Sequence, residues 1–208
     1  MRKPHFPWFA VFLENVVPLV PRKNKATVMD KIRLKDREFE LFIPEKEINA
    51  AIAKMAQKIK ADVGDTNPLF VAMLNGAFMF AAELMKQMDT NCEITFARYY
   101  SYCGTSTTGC IREVMPVQAD VKGRVVILLD DIIDTGYTMQ YVRDKLLGEG
   151  AASVRMASML FKPDSLRCDL KPDYVGMEIP TEFIVGYGLD YDGVGRTYRD
   201  IYRVTDNN

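Results

Sequence analysis

Three aspartates and a turn of small residues lie together in the segment VVILLDDIIDTGYTM, near the middle of the chain. Asp130 and Asp131 directly follow five apolar residues, and Asp134 opens the turn. A strand, a turn of Thr and Gly, and a helix N-terminus form an anion site because free backbone N–H groups point outward there. The turn therefore predicts a site for a phosphate monoester. The sequence lacks GxxxxGK(S/T), which excludes the triphosphate P-loop.

Carboxylates beside this turn would repel a bare phosphate, so the ligand must also carry groups that they attract. A ribose 5-phosphate does, because Asp130 and Asp131 can accept hydrogen bonds from vicinal hydroxyls. A magnesium ion bridging those hydroxyls and a diphosphate would neutralise the carboxylates. Negative charge would also stabilise an oxocarbenium-like transition state. The alternative, an acidic strand end before an N-capped helix, accounts for an Asp-Asp pair but poorly for the whole segment.

The elements predicted around this segment bring several polar residues to one edge of a sheet. Apolar residues at helical spacing predict a helix within EKEINAAIAKMAQKIKADVG, ending near Gly64. The apolar runs in NPLFVAMLNGA and GRVVILLDD predict buried strands. Strands alternating with helices indicate a parallel sheet covered on both faces. Because Asn75, Asp130, Lys162 and Asp190 all follow predicted strand ends, one ligand crevice can hold them all.

Composition limits the classes of protein that the chain can belong to. It has 208 residues, with 27 Lys and Arg against 28 Asp and Glu, and a net charge of −1. That balance gives no support for a general nucleic-acid-binding protein. Four cysteines without CxxC spacing predict reduced thiols in the cytoplasm. The single histidine, His5, lies far along the chain from the acidic residues, which argues against a histidine-based triad or zinc site.

Residues 1–28 differ in their pattern from the rest of the chain. They begin basic and become apolar, as a signal peptide does, but Pro7, Glu14 and Pro18 interrupt the apolar run. We expect an N-terminal extension, disordered or arising from a start upstream of Met29, and neither an export signal nor a membrane span. The working domain is predicted to be residues 29–208.

These features together resemble one known family. The segment VVILLDDIIDTGYTM is similar to the phosphoribosyl-diphosphate signature of the type I phosphoribosyltransferases. Two more segments, KPDYVGMEIPTEFIVGYGLDY and YSYCGTSTTG, resemble the hypoxanthine-guanine branch of that family, the second in its mobile-loop position. The resemblance covers about residues 30–205. It implies an α/β fold, with a parallel, Rossmann-like core sheet, a small hood and a mobile lid loop.

The resemblance also implies a role for each polar position. Asp134 would be the general base near the purine N7, and Lys162 would donate to the purine O6. Magnesium would be held by Asp130, Asp131 and Asp190. Further substrate contacts are implied for the ribose at Asp130 and Asp131, the 5′-phosphate at Asp134, Thr135, Gly136, Tyr137 and Thr138, the purine at Tyr174 and Val175, the lid at Ser101 and Tyr102, and the diphosphate at Leu74, Asn75, Gly76 and Arg196.

Some of these positions have ordinary structural alternatives or depart from the family pattern. Lys162 could be a solvated surface lysine, Tyr174 a core residue and Asp190 a turn residue. Asp130 is one methylene shorter than the usual Glu. Asn75 and Tyr100 stand where the family often has a cation, so diphosphate binding would rest on backbone donors, with a cis bond before Asn75.

The implied activity is magnesium-dependent purine salvage. It transfers 5-phosphoribosyl from phosphoribosyl diphosphate to hypoxanthine and guanine, giving IMP or GMP and diphosphate. One alternative is an enzyme of this fold that prefers xanthine or guanine. Another is a nucleotide-sensing RNA-binding regulator, which would need a basic concave face. We expect a cytoplasmic homodimer or homotetramer that binds small molecules, and neither nucleic acid nor membranes.

Overall fold

The computed structural model describes residues 30–102 and 110–205, and only the backbone of residues 101, 102 and 110. The predicted N-terminal extension and most of the predicted lid loop therefore lie outside the described residues. No helix in the described ranges is long and apolar enough to cross a membrane. The strands and helices are β1 Lys31–Leu34, β2 Arg37–Ile43, α1 Glu45–Val63, β3 Leu69–Met73, α2 Phe78–Met88, β4 Glu93–Tyr102, β5 Cys110–Met115, β6 Val125–Ile133, α3 Tyr137–Gly148, β7 Ser153–Phe161, β8 Tyr174–Glu178, β9 Ile184–Val185 and β10 Ile201–Val204.

Six strands form the core sheet, in the order β5-β4-β3-β6-β7-β8. All neighbouring pairs are parallel except β4 with β5. Helices α1 and α2 pack on one face, where Ile52 and Leu84 share a core with Ile127. Helix α3 packs on the other face, where Val142 joins Leu128. The predicted parallel sheet with helices on both faces is confirmed, and double coverage explains why β3 is buried along its whole length.

The register of the parallel strands decides what reaches each edge of the sheet. Ile133 at the end of β6 pairs with Phe161 at the end of β7. Asp134 and Lys162 follow these two residues and therefore emerge side by side at the carboxyl edge. Leu74, directly after β3, lies at the same edge, because β3 pairs in parallel with β6.

A second sheet, which we call the hood, has the order β1-β2-β10-β9 and is antiparallel throughout. Strands β1 and β2 pair as an antiparallel hairpin. Its small core contains Ile32, Phe39, Val185 and Tyr202. Strand β9 is short, and only Ile184–Val185 of the segment EFIVGYGLD is a strand.

Local sequence explains the ends of two of the helices. Helix α1 ends at Gly64, as predicted, with φ 51°. Helix α3 begins at Tyr137, directly after Gly136, whose φ of 83° turns the chain out of β6. A left-handed residue at that point favours glycine, so the turn and the helix start are specified together.

Candidate active site

The turn between β6 and α3 forms a cavity of about 140 Å³ at the carboxyl edge of the core sheet. Asp130, Asp134, Thr135, Gly136 and Thr138 are among its lining residues. No side chain in the described ranges caps the N-terminus of α3. The first N–H groups of the helix are therefore available to an external acceptor. Free N–H groups of this kind are the donors with which a helix N-terminus binds an anion.

Gly136 also brings the loop after β7 close against this turn. A Cβ built on Gly136 would lie 2.7 Å from Leu166 Cδ1 and 2.8 Å from Cys168 Sγ. The Arg167 N–H donates to the Thr135 carbonyl over 3.0 Å. The floor of the turn is thus packed, and its open side faces the cavity.

Asp130 and Asp131 lie half-buried beside the turn, within the last residues of β6. Burial, reinforced by the charge of Asp131, raises the pKa of Asp130 well above its ordinary value. Burial also raises the pKa of Asp131, while hydrogen bonds and the charge of Arg196 oppose that rise. The positive charge near these two adjacent carboxylates does not offset the effect of their burial. They are suited to a ligand that brings hydroxyl donors or a divalent cation.

The loop after β3 lies directly over Asp131. Its Leu74–Asn75 peptide bond is cis, as predicted. A Cβ on Gly76 would overlap the Asp131 carboxylate, and a Cβ on Gly188 would overlap the Gly76 carbonyl. The β3 loop is therefore held between the end of β6 and the hood, and the fit requires glycine on both sides.

Arg196 and Asp190 reach this region from the hood as an ion pair. Arg196 Nη2 lies 2.7 Å from Asp190 Oδ1, and Arg196 Nη1 donates to the Gly188 carbonyl over 2.6 Å. The other Asp190 oxygen accepts from the Gly193 N–H over 2.7 Å. Asp190 thus has turn contacts as well as a charged partner.

The three predicted magnesium ligands do not by themselves form a metal cage. Within residues 30–102 and 110–205, no three His, Cys, Asp or Glu side chains are placed to hold an ion together. Magnesium commonly binds one or two carboxylates together with substrate phosphates and water. The oxygen donors of Asp130 and Asp131 fit that second arrangement.

Lys162 and Asp134 form an ion pair above the phosphate turn. Lys162 is 7% exposed, and its Nζ lies 3.2 Å from Asp134 Oδ2. The Lys162 N–H donates to the Ile133 carbonyl over 3.0 Å, which fixes the loop against β6. The surface-lysine alternative is wrong, because a buried ammonium needs a partner of this kind.

Tyr174 and Val175 do not reach this site, which corrects the expectation that they bind the purine. They pair with Ala157 and Ser158, well before β7 reaches Lys162, so they lie toward the opposite edge. Tyr174 is 2% exposed, and its hydroxyl accepts from Arg155 Nη1 over 2.8 Å. The core-packing alternative holds for Tyr174.

Phe183 is an exposed aromatic residue to which the sequence interpretation assigned no role. It belongs to the chain past the carboxyl end of β8 and is 42% exposed in the hood. Its ring packs against Phe39 and Tyr191 at centroid distances of 6.2 and 5.7 Å. An aromatic residue just before a short apolar strand and the later Asp190 was the available signal.

Ser101 and Tyr102 lie at the end of β4, where their backbones pair with Ile111 and Cys110. Their side chains lie outside the described residues, as does the centre of the predicted lid. Tyr100, one of the departures from the family pattern, is exposed, and its hydroxyl accepts a hydrogen bond from Arg98.

Comparison with known proteins gives a consistent family relationship. Residues 44–192 match the family model described as a phosphoribosyl transferase domain. The chain is 40% identical over 153 residues to a hypoxanthine-guanine phosphoribosyltransferase of Streptococcus pneumoniae, covering 73% of this chain and 85% of that protein. A protein of the same name from Streptococcus agalactiae is 40% identical over 163 residues, covering 78% of this chain and 89% of its own length.

Two solved structures of related phosphoribosyltransferases have a similar fold. A hypoxanthine phosphoribosyltransferase of Staphylococcus aureus superposes with a TM-score of 0.77 at 29% identity, over 80% of this chain and 91% of that one. A hypoxanthine-guanine phosphoribosyltransferase of Bacillus anthracis gives a TM-score of 0.74 at 29% identity, over 79% and 96% of the two chains.

Proposed function

This chain belongs to the phosphoribosyltransferase family, and on that premise we propose that it salvages 6-oxopurines. The reaction transfers 5-phosphoribosyl from phosphoribosyl diphosphate to hypoxanthine and guanine, giving IMP or GMP and diphosphate. The observation that carries the proposal is the Lys162–Asp134 pair, 3.2 Å apart above the phosphate turn. The pair supports the proposal because an ammonium that can donate to an exocyclic oxygen lies beside a carboxylate that can act as a base.

Asp134 acts on the purine in this proposal. N9 of the purine attacks C1′ poorly unless the ring loses a proton, and a carboxylate close to N7 can accept it. The Lys162 ammonium donates to O6 and so selects a 6-oxopurine over adenine. The exposed face of Phe183 takes the place of Tyr174 as the stacking surface in this proposal, because Phe183 follows the carboxyl end of β8 and is 42% exposed.

The sugar and phosphates occupy the remaining groups. The N–H groups and hydroxyls of the phosphate turn bind the 5′-phosphate, and Asp130 and Asp131 accept from the ribose hydroxyls. Asp130 and Asp131 would also hold magnesium, with Asp190 beside them; when bound, the ion neutralises the charge of the diphosphate. Arg196 binds the diphosphate, together with backbone donors of residues 74–76.

A coupled assay of diphosphate release tests the proposal. We expect turnover with hypoxanthine and guanine in the presence of magnesium, and little with adenine. Comparison with xanthine separates the alternative base preference on the same fold. Absence of turnover with all the 6-oxopurines would refute the proposal. Filter binding of RNA at two salt concentrations tests the regulator, which the net charge of −1 does not favour.

We further propose that the enzyme is a cytoplasmic homo-oligomer. Four large apolar side chains of the neighbouring strands β4 and β5, Ile94, Phe96, Tyr100 and Val114, are each at least 38% exposed. A concentration of exposed apolar side chains on neighbouring strands is typical of an interface, and a second copy of the chain is its simplest partner. Light scattering after gel filtration gives the mass, and a monomer at micromolar concentration would contradict the proposal.

A further inference from the structure

The loop that follows β7 joins the phosphate turn to the hood. At its start, the Lys162 N–H donates to the Ile133 carbonyl over 3.0 Å, and farther along, the Arg167 N–H donates to Thr135 over 3.0 Å. Between these points the chain makes a short 3₁₀ turn, Pro163–Ser165. Ser165 Oγ in this turn lies 2.8 Å from Thr181 Oγ1, on the segment that leads into β9 of the hood. Among the described residues, this is the one side-chain hydrogen bond between the loop and that segment.

Ser165 is held in this loop by burial and by hydrogen bonds. It is 6% exposed, and its N–H donates to the Lys162 carbonyl over 3.1 Å. A buried hydroxyl without a hydrogen-bond partner is destabilising, and the Thr181 hydroxyl is the partner of the Ser165 hydroxyl. Thr181 lies two residues before Phe183, on the segment that enters β9. The hydroxyl pair therefore connects the residue that would contact the purine edge with the residue that would contact its face.

We propose that Ser165 and Thr181 are a positioning pair for the purine, setting the place of Lys162 relative to Phe183. The inference rests on the proposed function and extends it to two residues that do not touch substrate. A purine held between an ammonium at its edge and an aromatic ring at its face needs both within a fraction of an ångström. Without the hydroxyl pair, the backbone hydrogen bond from the Ile179 N–H to the Phe161 carbonyl would remain, but the 3₁₀ turn would lose its direct link to Thr181, and the purine would bind less tightly.

The test removes each hydroxyl and measures steady-state kinetics. Ser165→Ala and Thr181→Val should each raise KM for hypoxanthine about 3- to 10-fold, the effect of one net hydrogen bond. KM for phosphoribosyl diphosphate and kcat should stay within about twofold of wild type. Because each variant breaks the same bond, the double variant should lose little more than either single one. Thr181→Ser keeps the hydroxyl and should restore the wild-type KM.

Thr66→Val is the matched control. Thr66 Oγ1 donates to the Val63 carbonyl over the same 2.8 Å, but at the opposite edge of the sheet. It should leave KM for hypoxanthine unchanged, and melting temperatures of all variants show whether the fold is kept. If wild type turns over no 6-oxopurine, the proposed function fails and this inference with it. If wild type is active while Thr181→Val keeps its KM for hypoxanthine, or raises both KM values equally, the positioning role alone is refuted.

Discussion

At the scale of single residues, the Lys162–Asp134 pair shows how one contact can serve both stability and chemistry. The ammonium is buried, so it requires the carboxylate before substrate arrives. When a purine enters, the same two groups would face its O6 and N7. The contact that pairs the buried ammonium therefore involves the two groups that, in the proposed function, would recognise and activate the base.

Asp134→Asn should lower kcat about 10²- to 10⁴-fold, the range of general-base catalysis. The amide keeps the shape of the turn and its backbone donors, so KM for phosphoribosyl diphosphate should change little. We would measure kcat and both KM values across pH. The exposed Asp164, changed to Asn, is the matched control. Retention of more than about a tenth of wild-type kcat by Asp134→Asn would assign the base elsewhere.

Lys162→Ala should weaken the use of 6-oxopurines by about 1.5–3 kcal/mol, the range of a hydrogen bond from a charged group. Adenine, which has no O6, should gain relative to hypoxanthine. The measurement is the ratio of kcat/KM values for the two bases, with the exposed Lys171→Ala as control. An unchanged ratio would leave Lys162 a purely structural role.

Asp130→Asn should stabilise the protein when substrate and magnesium are absent. Burial and Asp131 raise the pKa of folded Asp130, so the folded chain binds its proton more tightly than the unfolded chain. The free energy of unfolding therefore falls as pH rises from the ordinary pKa of 3.8 through the raised value. The variant should melt a few degrees higher at neutral pH, where about 2–4 °C corresponds to 1 kcal/mol. Melting curves from pH 4 to 8 test this, and a gap that does not close toward pH 4 would contradict it.

At the scale of elements, the contact between the β3 loop and the hood depends on two glycines. A Cβ on Gly76 would overlap the Asp131 carboxylate, and one on Gly188 would overlap the Gly76 carbonyl. Gly188 also has φ 98°, which a side chain would strain. This contact is where the hood, the β3 loop and the acidic end of β6 meet.

Gly76→Ala should raise KM for phosphoribosyl diphosphate more than KM for hypoxanthine, because the methyl displaces Asp131 and the β3 loop together. Steady-state kinetics with each substrate varied in turn measures the difference. Gly148→Ala, at the end of α3, has open space around it and should leave both KM values unchanged. Equal KM values for wild type and Gly76→Ala would show that the loop moves aside at no cost.

Most elements could be predicted from the sequence because their patterns are local. Five apolar residues before Asp130 specify a buried strand, and Gly136 specifies the turn after it. The choice between Tyr174 and Phe183 as the residue proposed to stack on the purine could not be made in this way. The two lie nine positions apart, and only the strand register shows that Tyr174 lies toward the opposite edge of the sheet. The Lys162–Asp134 and Ser165–Thr181 pairs likewise join residues far apart in sequence, so no local pattern predicts them.

For the whole molecule, the described residues form two sheets that meet around the site. We expect a chain that starts at Met29 to fold and keep full turnover. The broken apolar run of the first 28 residues supports the same expectation. Melting temperature and kcat of the shortened and full-length proteins test it. A fall in kcat of more than about tenfold would show that the extension contributes to the working enzyme.

The hood is assembled from distant parts of the chain, and this affects the order in which the protein can fold during synthesis. Strand β10, Ile201–Val204, lies between β2 and β9 and pairs with both. Ribosomes deliver the core sheet first, since β3 to β8 all precede residue 179. A nascent chain halted before Ile201 would hold a folded core and phosphate turn, while β2 and β9 would lack the strand that joins them. The nascent enzyme would therefore gain its phosphate turn before its purine site, and activity only after β10 leaves the exit tunnel.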